Sequence, residues 1–291
     1  MPPPTRSTFS DITRVFWRFV LFVGVAVAVI LTMGFVLKPV FPTGLPFGRE
    51  GKPLYLLIVA LGLGVATLAA AFWEKSGDWA ILGLAPEGWR PRGILLAVLG
   101  GGGLAAVAAG VLLATRLARF TPLPAGAIVP YASHALLLVA LSTLTEALAF
   151  RGYLHGLVAR RWGAWVAVAV STLLFTLFHI GGTAPSAMNL VAVLCLGLFL
   201  GAVRVRSGGI AAPWLAHCVL GWVQVGVLHS GVSGLELEMP PRYFLALAEP
   251  AWLSGRGWGV EGGLVAAAML LGAAVYLLRP VPYAPPPPAR P

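Results

Sequence analysis

The sequence predicts an all-α fold, a polytopic transmembrane helix bundle of about eight spans, and three observations carry that prediction. Of 291 residues, 58% are apolar and only 10% are charged, against about 25% charged residues in an ordinary soluble domain. The mean hydropathy is +0.88. The apolar residues gather in eight runs, separated by short connections rich in Pro and Gly. A soluble enzyme is excluded by these figures, and so is a disordered chain, because a chain this apolar must bury or insert its surface.

A hydrocarbon core needs roughly 20 apolar residues in helical form. The qualifying runs are approximately 16–37, 54–73, 94–116, 131–150, 162–180, 187–203, 210–229 and 260–278. The first follows Met1-Pro2-Pro3-Pro4 and a polar stretch, and it reaches Leu37 without a small-residue cleavage site, so it reads as a retained span. Lys38-Pro39-Val40-Phe41-Pro42 closes it. The third run holds Gly100 to Gly103, and the short sixth holds Gly197 and Gly201. Small residues let helix backbones approach closely. A phosphate-cradling loop would need Lys-Ser/Thr after the glycines, so packing is the preferred reading. Pro240-Pro241 and Gly255-Arg256-Gly257 separate the last two runs, and Pro285 to Pro288 form a polyproline end expected to be solvated.

The net charge is +10, from 20 Lys plus Arg against 10 Asp plus Glu. The basic residues are dispersed between apolar runs rather than interleaved with aromatics, so the expected partner is the lipid bilayer and not nucleic acid. An even number of spans puts both termini on one side. That side would hold Arg6, Arg14, Arg18, Lys75, Arg90, Arg92, Arg151, Arg160, Arg161, Arg204, Arg206, Arg279 and Arg290, against Lys38, Arg49, Lys52, Arg116, Arg119, Arg242 and Arg256 opposite. By the positive-inside rule both termini are expected in the cytoplasm, with the chain integral to the plasma (inner) membrane. Cys195 and Cys218 lie in apolar runs and suggest neither a disulfide nor a zinc site.

An ionisable group within a spanning helix is costly unless paired or wet, so each is a functional candidate. Nine of the ten acids fall in termini, loops or span edges, leaving Glu146 well within a span. A purely structural pair with Arg151 is the bland alternative. His179 ends the fifth run, and His217 sits in the seventh. His134, His155 and His229 lie close to span ends and are expected to be interfacial. Glu146, His179 and His217 together could activate water, either by general-base action or through a bound metal.

These residues lie in patterns that resemble the CAAX prenyl endopeptidase and bacteriocin-processing family of intramembrane proteases, also called the Abi family. Its first motif, E-E-x-x-x-R, stands here as Glu146-Ala147-Leu148-Ala149-Phe150-Arg151, followed by Gly152. The second, F-x-x-x-H, is matched by Phe175 to His179, and the third, H-x-x-x-N, only at His217. The resemblance implies three units: spans one to three in 1–130, a protease core of spans four to seven in 131–229, and a last span with the Pro-rich tail in 230–291. It also implies Glu146 as the base, His179 and His217 as its catalytic companions, and Arg151 and Phe175 as supporting residues. The implied substrate is a peptide precursor or a prenylated protein. A divalent metal such as zinc on Glu146, His179 and His217 remains the competing version. The lack of an H-E-x-x-H pair favours the glutamate version.

Two departures stand out: the second Glu of the first motif is Ala147, and the Asn of the third is Gly221. Position 147 is the one that shares a helix face with Arg151, so Arg151 needs another partner, from carbonyls, Glu146 or lipid phosphate. Gln224 lies two turns beyond His217 on nearly the same face, and sequence leaves its role open. A catalytically impaired relative serving as an immunity or scaffold protein is the alternative that these departures favour. A transporter is a third class, disfavoured because no repeated halves or further intramembrane acids are found. The span boundaries also pose a problem. Simple alternation would put Glu146 and His179 near opposite membrane faces, more than about 20 Å apart at about 1.5 Å per residue. They meet only if the fourth helix continues through Arg151 toward Val158, or if 153–158 folds back into the membrane.

Overall fold

A computed structural model of the chain describes residues 9–39, 53–74, 79–123, 126, 128–181, 185–233 and 242–279. The Met1-Pro2-Pro3-Pro4 start, Pro240-Pro241, the Pro285–Pro288 end, and Arg6, Arg49, Lys52, Lys75 and Arg290 lie outside these residues. The architecture is an all-α membrane helix bundle. Its helices are α1 (Phe9–Leu37), α2 (Pro53–Trp73), the short α3 (Trp79–Leu82), α4 (Pro91–Ala114), α5 (Val129–Glu146), α6 (Leu154–Trp162), α7 (Ala164–Ile180), α8 (Ala187–Ser207), α9 (Ala211–Trp222), the short α10 (Ala251–Ser254) and α11 (Leu264–Leu278). Among the described residues five apolar helical stretches are long enough to cross a bilayer, and three shorter ones are Ala164–Ile180, Ala211–Val227 and Leu264–Leu278. Each of the eight coincides with one apolar run of the sequence.

The fourth run departs from its expected end. The helix does not stop at residue 150 but continues, kinked, as one 34-residue stretch from Val129 to Trp162. Arg151, His155, Arg160 and Arg161 lower the hydropathy there, yet Arg151 and His155 are buried by neighbouring helices. Neighbouring helices, rather than lipid, surround both side chains. Gly163, at φ +90°, then reverses the chain into α7, a left-handed conformation that glycine adopts without a Cβ penalty. Glu146 and His179 lie almost equally far from that reversal along the two arms of the α6–α7 hairpin. This removes the separation that simple alternation implied.

Small residues set the helix spacing. A Cβ on Gly101 would fall 2.1 Å from the carbonyl oxygen of Ala216, so α4 and α9 touch backbone to backbone beside His217. Gly197 and Gly201 face Thr172 and Val168 of α7, whereas Gly100 and Gly103 have nothing within 4 Å of a built Cβ. α5 and α9 are antiparallel and clasped by indole donors: Trp214 Nε1 to the Ala140 carbonyl and Trp222 Nε1 to the Ala132 carbonyl, both at 3.0 Å. Ser186 and Asn189 form a reciprocal cap at the start of α8. The Asn189 amide also donates to the Gly262 carbonyl at 2.9 Å, tying that end to the entry of α11.

One feature had no forecast in the sequence. Strands β1 (Ala118–Pro122) and β2 (Tyr243–Leu247) pair antiparallel, with Phe120 opposite Leu245. They close the end of the bundle where α4 finishes and α11 begins. At the other end, Glu74 is nearly buried and accepts from Arg18 Nη1 at 3.0 Å, Tyr153 Oη at 2.6 Å and Arg160 Nη1 at 3.4 Å. This edge acid is therefore an interhelical clamp joining α1, α2 and the fourth span. Cys195 and Cys218 are free and buried.

Candidate active site

α5 ends at Glu146, and residues Ala147–Tyr153 widen into π-type turns with a kink at Gly152. Such turns rotate side chains off the regular helical faces and recur at functional sites. Here they turn Phe150, Arg151 and Tyr153 inward together, and all three are buried. Arg151 is 1% exposed, with its guanidinium carbon 4.1 Å from the centroid of the Phe175 ring. None of its three side-chain nitrogens makes a hydrogen bond among the described residues. The aromatic face thus stands where Ala147 withholds a carboxylate. Phe175 in turn meets Phe150 edge-on, at a centroid distance of 5.5 Å.

Glu146 Oε2 lies 3.4 Å from His217 Nδ1, with side-chain exposures of 15% and 11%. The contact is close enough for charge interaction, but Oε2 has no hydrogen-bond partner among the described residues. The bland alternative of a hydrogen-bonded Glu146–Arg151 pair does not form. Arg151 remains an electrostatic neighbour of Glu146, together with His179 and Glu261. His179 is half-buried, packs on Phe175 at 4.5 Å between centroids, and places Nδ1 2.8 Å from the Phe175 carbonyl. A carbonyl only accepts, so Nδ1 carries the proton and Nε2 of the neutral ring is left as an acceptor. His217 has Arg151 and His179 as electrostatic neighbours and sits 6.2 Å from Phe175 between ring centroids. The structure therefore gathers Glu146, Arg151, Phe175, His179 and His217, from three helical segments, around one spot.

The departing residues have distinct surroundings. A Cβ on Gly221 would meet Val139 Cγ1 at 3.0 Å, so α5 already occupies the space that an asparagine would need. Gln224 is turned elsewhere: its Nε2 donates to Glu261 Oε2 at 3.0 Å, and its Oε1 accepts from the Glu261 amide at 2.9 Å. Glu261 also accepts from the Ser233 amide and hydroxyl at 2.9 and 2.8 Å. Glu261 is 6% exposed, so it is a second interior acid that sequence placed only at a span edge. Its flanking glycines, at the start of an apolar run, were the available signal. His155 and His229 are likewise buried rather than interfacial. His229 Nδ1 lies 2.8 Å from the Tyr243 carbonyl.

Among the described residues no group of three or more His, Cys, Asp or Glu side chains could hold a metal ion. Glu146 and His217 approach each other, and His179, whose Nδ1 faces its own helix backbone, keeps Nε2 free.

Residues 127–223 match the family model of the type II CAAX prenyl endopeptidases, Rce1-like. This is the segment that the three motifs single out. The Rce1-like segment contains Glu146, Arg151, Phe175, His179 and His217, and it ends before Gln224 and Glu261. The match covers about a third of the chain, and together with the apolar helices it describes an integral membrane protein. Comparison with curated proteins finds no match.

Proposed function

We propose that the chain is an intramembrane endopeptidase that cleaves a peptide or prenylated protein by glutamate-activated water. The observation that carries this reading is the 3.4 Å approach of Glu146 Oε2 to His217 Nδ1, with His179 beside both. Glu146 and the free Nε2 of His179 offer two acceptors for one water. Glu146 takes a proton as the water oxygen attacks the carbonyl carbon, and His217 donates Nε2–H to the resulting oxyanion. The protonated Glu146 then becomes a donor toward His217 Nδ1. A contact without hydrogen-bond geometry in the resting state thereby gains strength as charge develops, which is what lowers a barrier. The proton passes from Glu146 to the leaving nitrogen when the C–N bond breaks, which regenerates the site. Arg151 is a positioning residue, since a guanidinium stays charged and cannot act as the base.

The reading places the site in the inner membrane, with both termini in the cytoplasm. Purified full-length protein in detergent, incubated with prenylated and unmodified peptides and followed by mass spectrometry, tests it. A new carboxyl terminus, formed equally with and without a chelator, supports the glutamate mechanism. Activity lost to the chelator and restored by zinc overturns that mechanism. No cleavage across the panel overturns the protease reading and favours an impaired immunity or scaffold protein, as Ala147 and Gly221 would suggest.

A further inference from the structure

α4, α8 and α11 enclose a groove of about 550 Å³ that none of the candidate active-site residues lines. Phe199 and Val203 of α8 form its floor, between Gly100 and Gly103 of α4 and Ala273 of α11. The packing of α4 explains the opening. Ala108 and Leu112 are buried with Ala266 of α11, and Gly101 is pressed against α9, but Gly93, Gly100 and Gly103 have nothing within 4 Å of a built Cβ. The lining of α4 runs from Gly93 to Val107, about 21 Å at about 1.5 Å per residue. One leaflet of a hydrocarbon core is about 15 Å deep, so the groove is long enough to follow a lipid chain through it. The apolar lining ends at Arg206, Ser207 and Tyr276. Arg206 donates from Nε to the Leu277 carbonyl and from Nη2 to the Arg279 carbonyl, which holds its guanidinium at the rim against the last turn of α11. The Arg279 guanidinium carbon lies 5.8 Å from the centroid of the Tyr276 ring. Neither arginine forms an ion pair among the described residues, and no acidic side chain lines the groove.

We propose that this groove binds an anionic phospholipid, with one acyl chain lying along α4 and the phosphate at Arg206, beside Arg279. The two halves of such a lipid match the two parts of the groove. Gly100 and Gly103 leave the width that larger side chains would fill, and each methylene withdrawn from water or from loose contact adds to retention of the chain. At the rim, a guanidinium offers a phosphate charge-assisted hydrogen bonds, and basic pockets between spanning helices are sites for anionic headgroups. A neutral lipid would use the walls and leave both arginines to water. A substrate lying here would not present its scissile bond to Glu146, His179 and His217, since none of them lines the groove. The inference does not depend on the proposed protease activity.

The test uses the purified full-length chain, freed of lipid in uncharged detergent. Dioleoyl phosphatidylglycerol, dioleoyl phosphatidylcholine and the short-chain dihexanoyl phosphatidylglycerol are titrated separately, and binding is read by native mass spectrometry and thermal shift. Saturable binding of dioleoyl phosphatidylglycerol is expected, several-fold tighter than the phosphatidylcholine and at least about ten-fold tighter than the short-chain lipid. Gly100→Leu with Gly103→Leu fills the groove where a built Cβ meets nothing, and leucine is the better helix former. That variant should lose at least about ten-fold in phosphatidylglycerol binding while its lipid-free thermal stability stays at or above the parent's. Arg206→Gln should remove most of the preference over phosphatidylcholine, and Arg119→Gln, exposed at the opposite end, should leave it unchanged. If the leucine pair fails to fold, Arg206→Gln and the chain-length comparison decide. Equal binding of the three lipids by the parent, binding that the leucine pair or Arg206→Gln leaves intact, or displacement of the phospholipid by a farnesylated peptide overturns the proposal.

Discussion

Arg151 shows how a single lost carboxylate is absorbed. With Ala147 in place of the family's second Glu, the guanidinium lies over Phe175, the ring that also supports His179. A lysine keeps the charge but not the flat stacking surface. Arg151→Lys is therefore expected to lower cleavage about ten-fold, in line with a buried cation–π contribution of about 1–2 kcal/mol, while the protein remains folded by circular dichroism. Glu261 behaves differently, because its carboxylate accepts three hydrogen bonds, two from Ser233 and one from Gln224. Glu261→Gln would set an amide donor against those donors. Unfolding followed by tryptophan fluorescence should show a loss of about 1–3 kcal/mol. An unchanged unfolding midpoint would count against the clamp. The five residues named from motifs were legible one by one, whereas Glu261 was not, since a position at a span edge says nothing of an interior partner 37 residues away in sequence.

At the scale of elements, backbone proximity decides where the candidate site residues sit. Gly101 lets α4 touch α9 at Ala216, one residue before His217, whereas Gly103, two positions on, faces open space. Gly101→Val should force α9 away, costing about 1–3 kcal/mol or more from overpacking and displacing His217. Gly103→Val should be tolerated. The check is thermal stability and cleavage of both variants side by side, and equal behaviour would contradict the packing assigned to α4. Hydropathy located every apolar run but could not see the fourth helix pass beyond residue 150. It scores Arg151 and His155 as lipid-facing costs, and it contains no information about the α6–α7 hairpin that buries them. Nor could it see the β1–β2 pairing, where short segments among turn residues gain stability from each other rather than from local pattern.

For the whole molecule, the bundle has a basic end, carrying Arg92, Arg160, Arg161, Arg204 and Arg206, and an end closed by β1 and β2. On the positive-inside rule the first of these is expected to face the cytoplasm. In whole cells an impermeant maleimide is expected to label Arg119→Cys directly and Arg92→Cys only after permeabilisation, because both positions are exposed and the native cysteines are buried. The reverse pattern would invert the membrane orientation. The proposed mechanism requires Glu146 to activate water at the meeting point of the fourth, fifth and seventh spans. Its most direct test is the cleavage rate of purified Glu146→Gln beside the parent chain on a peptide the parent cuts. The amide preserves shape but cannot take the proton. The expected result is a fall of at least about 10²-fold, the scale of general-base catalysis, with thermal stability close to the parent's, and undiminished cleavage by Glu146→Gln would contradict the claim.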